Sequence, residues 1–168
     1  MPVLPILPHQ LTDHVKLLHK VAVVHDDKVL ILKRANTAQS RPGCWDLPGG
    51  NSEWPVALTE NTANIYQLDI VREIQEETGS ETSPNNFSEK NLIFFRTFFE
   101  PERQVYSLIC GWKLNAVTDL TAFSPEKVKL SPEHTQMAWI SLSEAASYDF
   151  GGVRGQFILE IIVQALKI

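Results

Sequence analysis

Residues 72–79 run Arg72-Glu73-Ile74-Gln75-Glu76-Glu77-Thr78-Gly79, and the spacing of their acids is the strongest chemical signal in the chain. If residues 69–78 are helical, Asp69, Glu73, Glu76 and Glu77 fall at i, i+4, i+7 and i+8 on one face, with Leu68, Val71 and Ile74 opposite. Like charges at that spacing destabilise a helix by roughly 0.2–0.5 kcal/mol per pair. Gly79 reads as the helix stop, which puts Glu76 and Glu77 in the last turn, where the helix dipole disfavours anions by roughly 0.3–1 kcal/mol each. Arg72, four residues before Glu76, is the one compensating charge inside the helix. A hard divalent cation resolves the conflict, because Mg²⁺ takes carboxylate oxygens and fills its other positions with water and substrate phosphate. A solvated acidic face is the alternative.

Upstream lies Leu47-Pro48-Gly49-Gly50. Together the two stretches resemble the signature of the Nudix hydrolases, whose box ends in Arg-Glu-apolar-any-Glu-Glu-any-Gly-apolar. The downstream half matches at every specified position but the last, where Ser80 replaces an apolar residue. The resemblance implies an α/β fold, a Nudix-like α/β/α sandwich with a mixed sheet, and covers the chain from about Val15 onward. It also implies that Glu73, Glu76 and Glu77 hold Mg²⁺ (or Mn²⁺) against a pyrophosphate, that Arg72 orients or pairs with a carboxylate, and that the Gly49 carbonyl is a further ligand.

The upstream half departs from the pattern. The family's Arg follows the second Gly by about fourteen residues, whereas Gly50 to Arg72 spans about eight more. The family's first Glu then falls on Val56 counted forward from Gly50, or on Asn64 counted back from Arg72. Glu53, Glu60 and Asp69 are the acids that could replace it, and spacing does not choose among them. The insert, with Trp54, Pro55 and Tyr66, is the segment expected to shape specificity.

Hydrolysing a phosphoanhydride needs water in line with phosphorus and a group to take its proton. Glu76 and Glu77 are candidates for that role. Glu133, in Ser131-Pro132-Glu133-His134, is a third, since Nudix enzymes often place a functional acid before a late strand; a turn cap is its plainer role. His134 is expected to be structural or a hydrogen-bonding neighbour. Arg34 and Arg41 could meet substrate phosphate in bidentate fashion, against the alternative of ordinary surface charge. Trp45 reads as a packing aromatic.

These residues need a scaffold, and 168 residues with 43% hydrophobic content suffice for one well-buried core and a single domain, 1–168, led by an extended arm over 1–12. The arm is apolar but broken by three prolines and lacks a basic lead-in, unlike a secretion signal. A net charge of −5 argues against binding a nucleic-acid duplex, which calls for a basic stripe. Cys44 and Cys110 are too few and too far apart for a disulfide framework, and read as packing residues. No apolar run reaches the roughly 20 residues that span a bilayer, and cytoplasmic residence is the default.

Val15 to Val24 and Val29 to Leu32 read as a hairpin about an Asp-rich turn, and a helix is expected over 65–78. Strands follow over 92–99, 105–117 and 137–140, then a helix over 156–168 whose apolar residues recur at helical period. Mixed strands with helices between and after them suggest a sheet covered on both faces. The expectation is a metal-dependent hydrolase acting on a nucleoside diphosphate linked to another group; the alternative is a Nudix-like module that binds a nucleotide or partner without turnover. Homodimerisation is possible in such folds.

Overall fold

The computed structural model describes residues 14–53, 63–116, 122–124 and 126–167. The amino-terminal arm, Trp54, Pro55, Glu60, Val117 and Ile168 lie outside the described residues, and with them the expectations placed there.

Strands β1 (Val15–His25) and β2 (Lys28–Arg34) form the expected hairpin. Asp26 and Asp27 both take positive φ, 45° and 58°, as a tight hairpin turn with right-handed twist demands. Then come β3 (Trp45–Asp46), α1 (Tyr66–Thr78), β4 (Leu92–Glu100), β5 (Val105–Asn115), β6 (His134–Ser141), α2 (Leu142–Ala145) and α3 (Gln156–Lys167). Two of these, β3 and α2, are too short to leave a periodic trace in the sequence.

The sheet is mixed, six-stranded and ordered β3-β2-β1-β5-β4, with β6 on the other edge of β2. Strand β1 runs parallel to β5 along Val15–Val24, yet pairs with β2 only at the turn. Beyond the turn the two strands part, and residues 45–51 wedge between them. On one side Trp45 and Asp46 pair with Lys33 and Leu32. On the other, His19 N–H donates to the Gly50 carbonyl and Val21 N–H to the Pro48 carbonyl, at 2.9 and 2.8 Å. The Gly-Gly turn is therefore built into the sheet and satisfies its backbone groups there.

Apolar layers form on both faces. Val21, Val23, Leu30, Leu32 and Trp112 meet Ile70, Ile74 and Phe87, while Ala22, Val29, Ile31 and Ile140 meet Ile158, Ile161 and Ile162 of α3. The layering is α/β/α, as expected. One expectation fails: Leu68 is 54% exposed, and the buried stripe of α1 is Ile70, Ile74, Glu77 and Thr78. Leu68 stands two residues from Ile70, more than half a turn around the helix, so both cannot face the sheet. Edge strand β4 leaves Phe95, Phe98 and Phe99 exposed. No described helix is long and apolar enough to cross a membrane.

Candidate active site

Two backbone features meet at the site. Helix α1 ends at Gly79, whose left-handed φ of 70° lets its N–H close on the Gln75 carbonyl. The wedge delivers Gly49 and Gly50 against the same last turns. Only glycine fits at Gly49, where φ is 128° and a Cβ would lie 2.2 Å from the His19 carbonyl oxygen, whereas a Cβ on Gly50 would lie 2.5 Å from the Glu73 carboxylate and displace it.

The acids of α1 do not share one environment. Gly49 N–H donates to Glu77 Oε2 at 2.8 Å, and Glu77 is buried, whereas Glu76 is 58% exposed. Glu73 lies between, its carboxylate against Gly50. Burial pushes the Glu77 carboxyl up to about 8, opposed by the Lys20 ammonium and the Gly49 hydrogen bond; burial also raises Glu73, opposed by Arg72. Both carboxylates are thus expensive to ionise without added positive charge.

Arg72 supplies part of it. Its guanidinium lies 2.9 Å from Glu73 and 3.0 Å from Glu76, with Asp69 and Glu53 each at 3.7 Å. Of the acids that could stand for the displaced first Glu, Glu53 and Asp69 therefore both reach the arginine, and Glu53 N–H donates to Asp69 at 3.4 Å.

Arg34 and Arg41 point inward. Both reach Asp46 Oδ2, at 3.1 and 2.6 Å, and Lys20 Nζ reaches the same oxygen at 3.1 Å. Asp46 is fully buried; burial alone would raise its carboxyl, but Lys20, Arg41 and Arg34 outweigh that and hold it below the usual range. The two arginines thus brace the turn through Asp46. Arg41 also donates to the Phe150 carbonyl at 3.1 Å.

Lys20 is the residue that motif reading misses. Its ammonium donates to the carbonyls of Leu47 (3.2 Å) and Gly49 (3.0 Å) while pairing with Asp46, at 4% side-chain exposure. The available signal was the His19-Lys20 pair inside an apolar strand, since a buried lysine needs a partner. The Gly49 carbonyl, expected as a metal ligand, is thus engaged by an ammonium.

Glu133 is exposed, and its carbonyl accepts Ala35 N–H at 2.8 Å, a turn role. His134 is buried beside Glu77, Nε2 to Oε1 3.9 Å. Burial lowers the imidazole to about 4, and Lys20 adds to the shift, so a neutral ring faces a protonated carboxyl across a gap too long for a hydrogen bond. Tyr66, expected to help shape specificity, instead stacks on Trp112 at 5.2 Å and donates to the Phe87 carbonyl.

His19 fixes the other side of the wedge. Its Nδ1 accepts Trp112 Nε1–H at 3.1 Å, which leaves Nε2–H to meet Ser52 Oγ at 3.0 Å. A proton on Nδ1 would face another donor, and burial lowers this imidazole to about 4 despite opposition from Asp69. The folded value lies below the unfolded 6.5, so the unfolded chain takes up the proton first. The His19 contribution to stability is full above pH 6.5 and declines as pH falls toward 4, by on the order of 3 kcal/mol. His134 adds a similar decline. Between pH 7.5 and pH 5, urea unfolding is expected to show the wild type losing about 2 kcal/mol relative to His19→Gln, the contributions of His134 and Glu77 being common to both; equal changes in the two would contradict this account.

Do these residues fit a divalent ion? Among the described residues no three His, Cys, Asp or Glu side chains stand grouped to hold one. Arg72 occupies the space between Glu73 and Glu76, and Glu77 is turned to Gly49. The donor chemistry nonetheless fits. Glu73 and Glu77 are oxygen donors at the junction of α1 with the turn, and burial holds both toward their neutral forms, which a hard cation would reverse; Glu76 pairs with Arg72 beside them.

The same architecture occurs in solved structures. A NUDIX hydrolase from Nitrosomonas europaea aligns with a TM-score of 0.61 at 18% identity, over 89% of this chain and 86% of that one. The MutT protein of Methanosarcina mazei Go1 gives 0.60 at 20% identity, over 95% and 100%, and a MutT NUDIX hydrolase from Burkholderia pseudomallei 0.59 at 20%, over 89% and 97%. No protein-family model and no curated protein matches the chain. The chain has the Nudix hydrolase fold.

Proposed function

We propose that this chain is a Nudix hydrolase, dependent on a divalent metal, that cleaves a pyrophosphate bond in a nucleoside diphosphate linked to another group. The observation that carries the reading is the junction of α1 with the Gly-Gly turn, where Glu77 accepts Gly49 N–H and Glu73 lies on Gly50. A bound Mg²⁺ or Mn²⁺ supplies charge stabilisation at phosphoryl oxygens and an acidified water. Glu73 and Glu77 hold it, joined by Glu76. Glu76, the most exposed of the three, takes the proton of the attacking water, with Glu133 as second candidate. Arg72 keeps Glu73 and Glu76 in register until that charge is needed elsewhere. An acidic chain with two free thiols suits the reducing cytosol.

Purified protein is expected to release products from at least one of a panel of nucleoside triphosphates, dinucleoside polyphosphates, ADP-ribose and nucleotide sugars, with Mg²⁺ or Mn²⁺ present and not with EDTA. Saturable nucleotide binding without products across the panel would favour the second reading, a binding module. One observation favours that module: Arg72 already neutralises two of the three acids.

A further inference from the structure

We propose that Lys20 serves as a fixed cation under the Gly-Gly turn, withdrawing the Gly49 carbonyl from metal coordination so that carboxylates of α1 hold the ion without a backbone ligand from the turn. The inference rests on the metal-dependent reading above.

The geometry closes around one ammonium. Its three N–H groups have three partners, the carbonyls of Leu47 and Gly49 and Oδ2 of Asp46, all within 3.2 Å. Such a shell, two backbone carbonyls and a carboxylate, is what a small cation takes from protein oxygens, and lysine fills it from within the chain. A divalent ion on the same carbonyl would sit about 2.1 Å from the oxygen. Even on the far side of that oxygen it would then stand about 5 Å from the ammonium, which lies 3.0 Å away in a site closed to water.

Asp46 anchors Lys20 in place, and Arg34 and Arg41 fix Asp46 in turn. The turn therefore carries its own positive charge, and Gly49 offers its N–H, not its carbonyl, to the ion-binding side, where Glu77 accepts it. Lys20 acts as a positioning residue: it touches neither substrate nor ion, and fixes which atoms of the turn face them.

The sequence has only two Gly-Gly pairs, Gly49-Gly50 and Gly151-Gly152, so doubly labelled glycine gives an amide–carbonyl correlation spectrum of two peaks, one reporting the Gly49 carbonyl. On titrating the full chain with Mg²⁺, calorimetry is expected to show binding that Glu73→Gln weakens, while the Gly49 carbonyl resonance stays in place. Lys20→Met, confirmed as folded by circular dichroism, is expected to bind one further Mn²⁺ by electron paramagnetic resonance, and Lys20→Arg to keep the wild-type count. Should Mg²⁺ shift the Gly49 carbonyl saturably in the wild type, or a folded Lys20→Met keep the wild-type count, Lys20 loses this role and the hydrolase reading stands. No Mg²⁺ binding at all would remove both. The wild-type titration decides the matter even if Lys20→Met does not fold.

Discussion

Glu77→Gln is expected to lower kcat by about 10²–10⁴-fold on whichever substrate the panel identifies, with no loss of stability. Glutamine keeps the shape and an oxygen able to accept Gly49 N–H, so the bond joining helix to turn survives. What disappears is a carboxylate that can ionise when positive charge arrives. In the resting protein that group is a burden, since burial raises it to about 8. Because the folded value exceeds the unfolded one, the Glu77 contribution to stability is full below about 4.5 and is lost as pH rises through 8. Metal-free Glu77→Gln is therefore expected to melt above the wild type at pH 8, with the gap closing toward pH 5. Added Mg²⁺ should raise the wild-type Tm and raise that of the variant less, because one of the carboxylates that hold the ion is gone. Melts at two pH values with and without Mg²⁺, beside steady-state kinetics, check all of this. A variant that melts lower and keeps its activity would show that Glu77 is only structural.

Asp46→Ala is expected to have the largest effect on stability, about 3–5 kcal/mol, the usual consequence of removing one partner from a buried ionic cluster. One oxygen of Asp46 answers Lys20, Arg34 and Arg41, whose side chains are 4%, 22% and 8% exposed, and the other accepts Leu47 N–H at 2.8 Å. Without it three cations remain in one place with little water to screen them. For a chain of this length the loss corresponds to a fall in Tm of roughly 10 °C. Lys20→Met combined with Asp46→Leu is expected to recover part of the loss, since replacing a buried pair is far less costly than breaking it. Urea unfolding of the single and double variants checks the pair. A single variant within 1 kcal/mol of wild type would mean that the cluster is far wetter than its burial indicates.

The extent to which this could be foreseen varies with the range of the forces involved. The hairpin, the central helix and α3 follow from local rules: β-branched runs around Asp26-Asp27, an acidic helix stopped by Gly79, and apolar residues at helical spacing over 156–167. The triplet of glutamates is legible for the same reason, because a helix converts spacing into direction. Their unequal fates are not. Whether a glutamate points at Gly49 or at solvent depends on how α1 is rotated against the sheet, and Ile70 and Ile74 settle that by burying themselves.

The acidic helix, the glycines that allow close approach, and the alternation of strands and helices are legible in the order of residues, since each is set by neighbours a few residues apart. Tertiary structure alone decided that residues 45–51 enter the sheet between β1 and β2, that Lys20 meets Asp46 and Gly49 from 26 and 29 positions away, and that Arg34 and Arg41 turn inward. Those pairings are selected by desolvation: a charge committed to the core must find an opposite charge wherever the fold brings one, and no local pattern records the address.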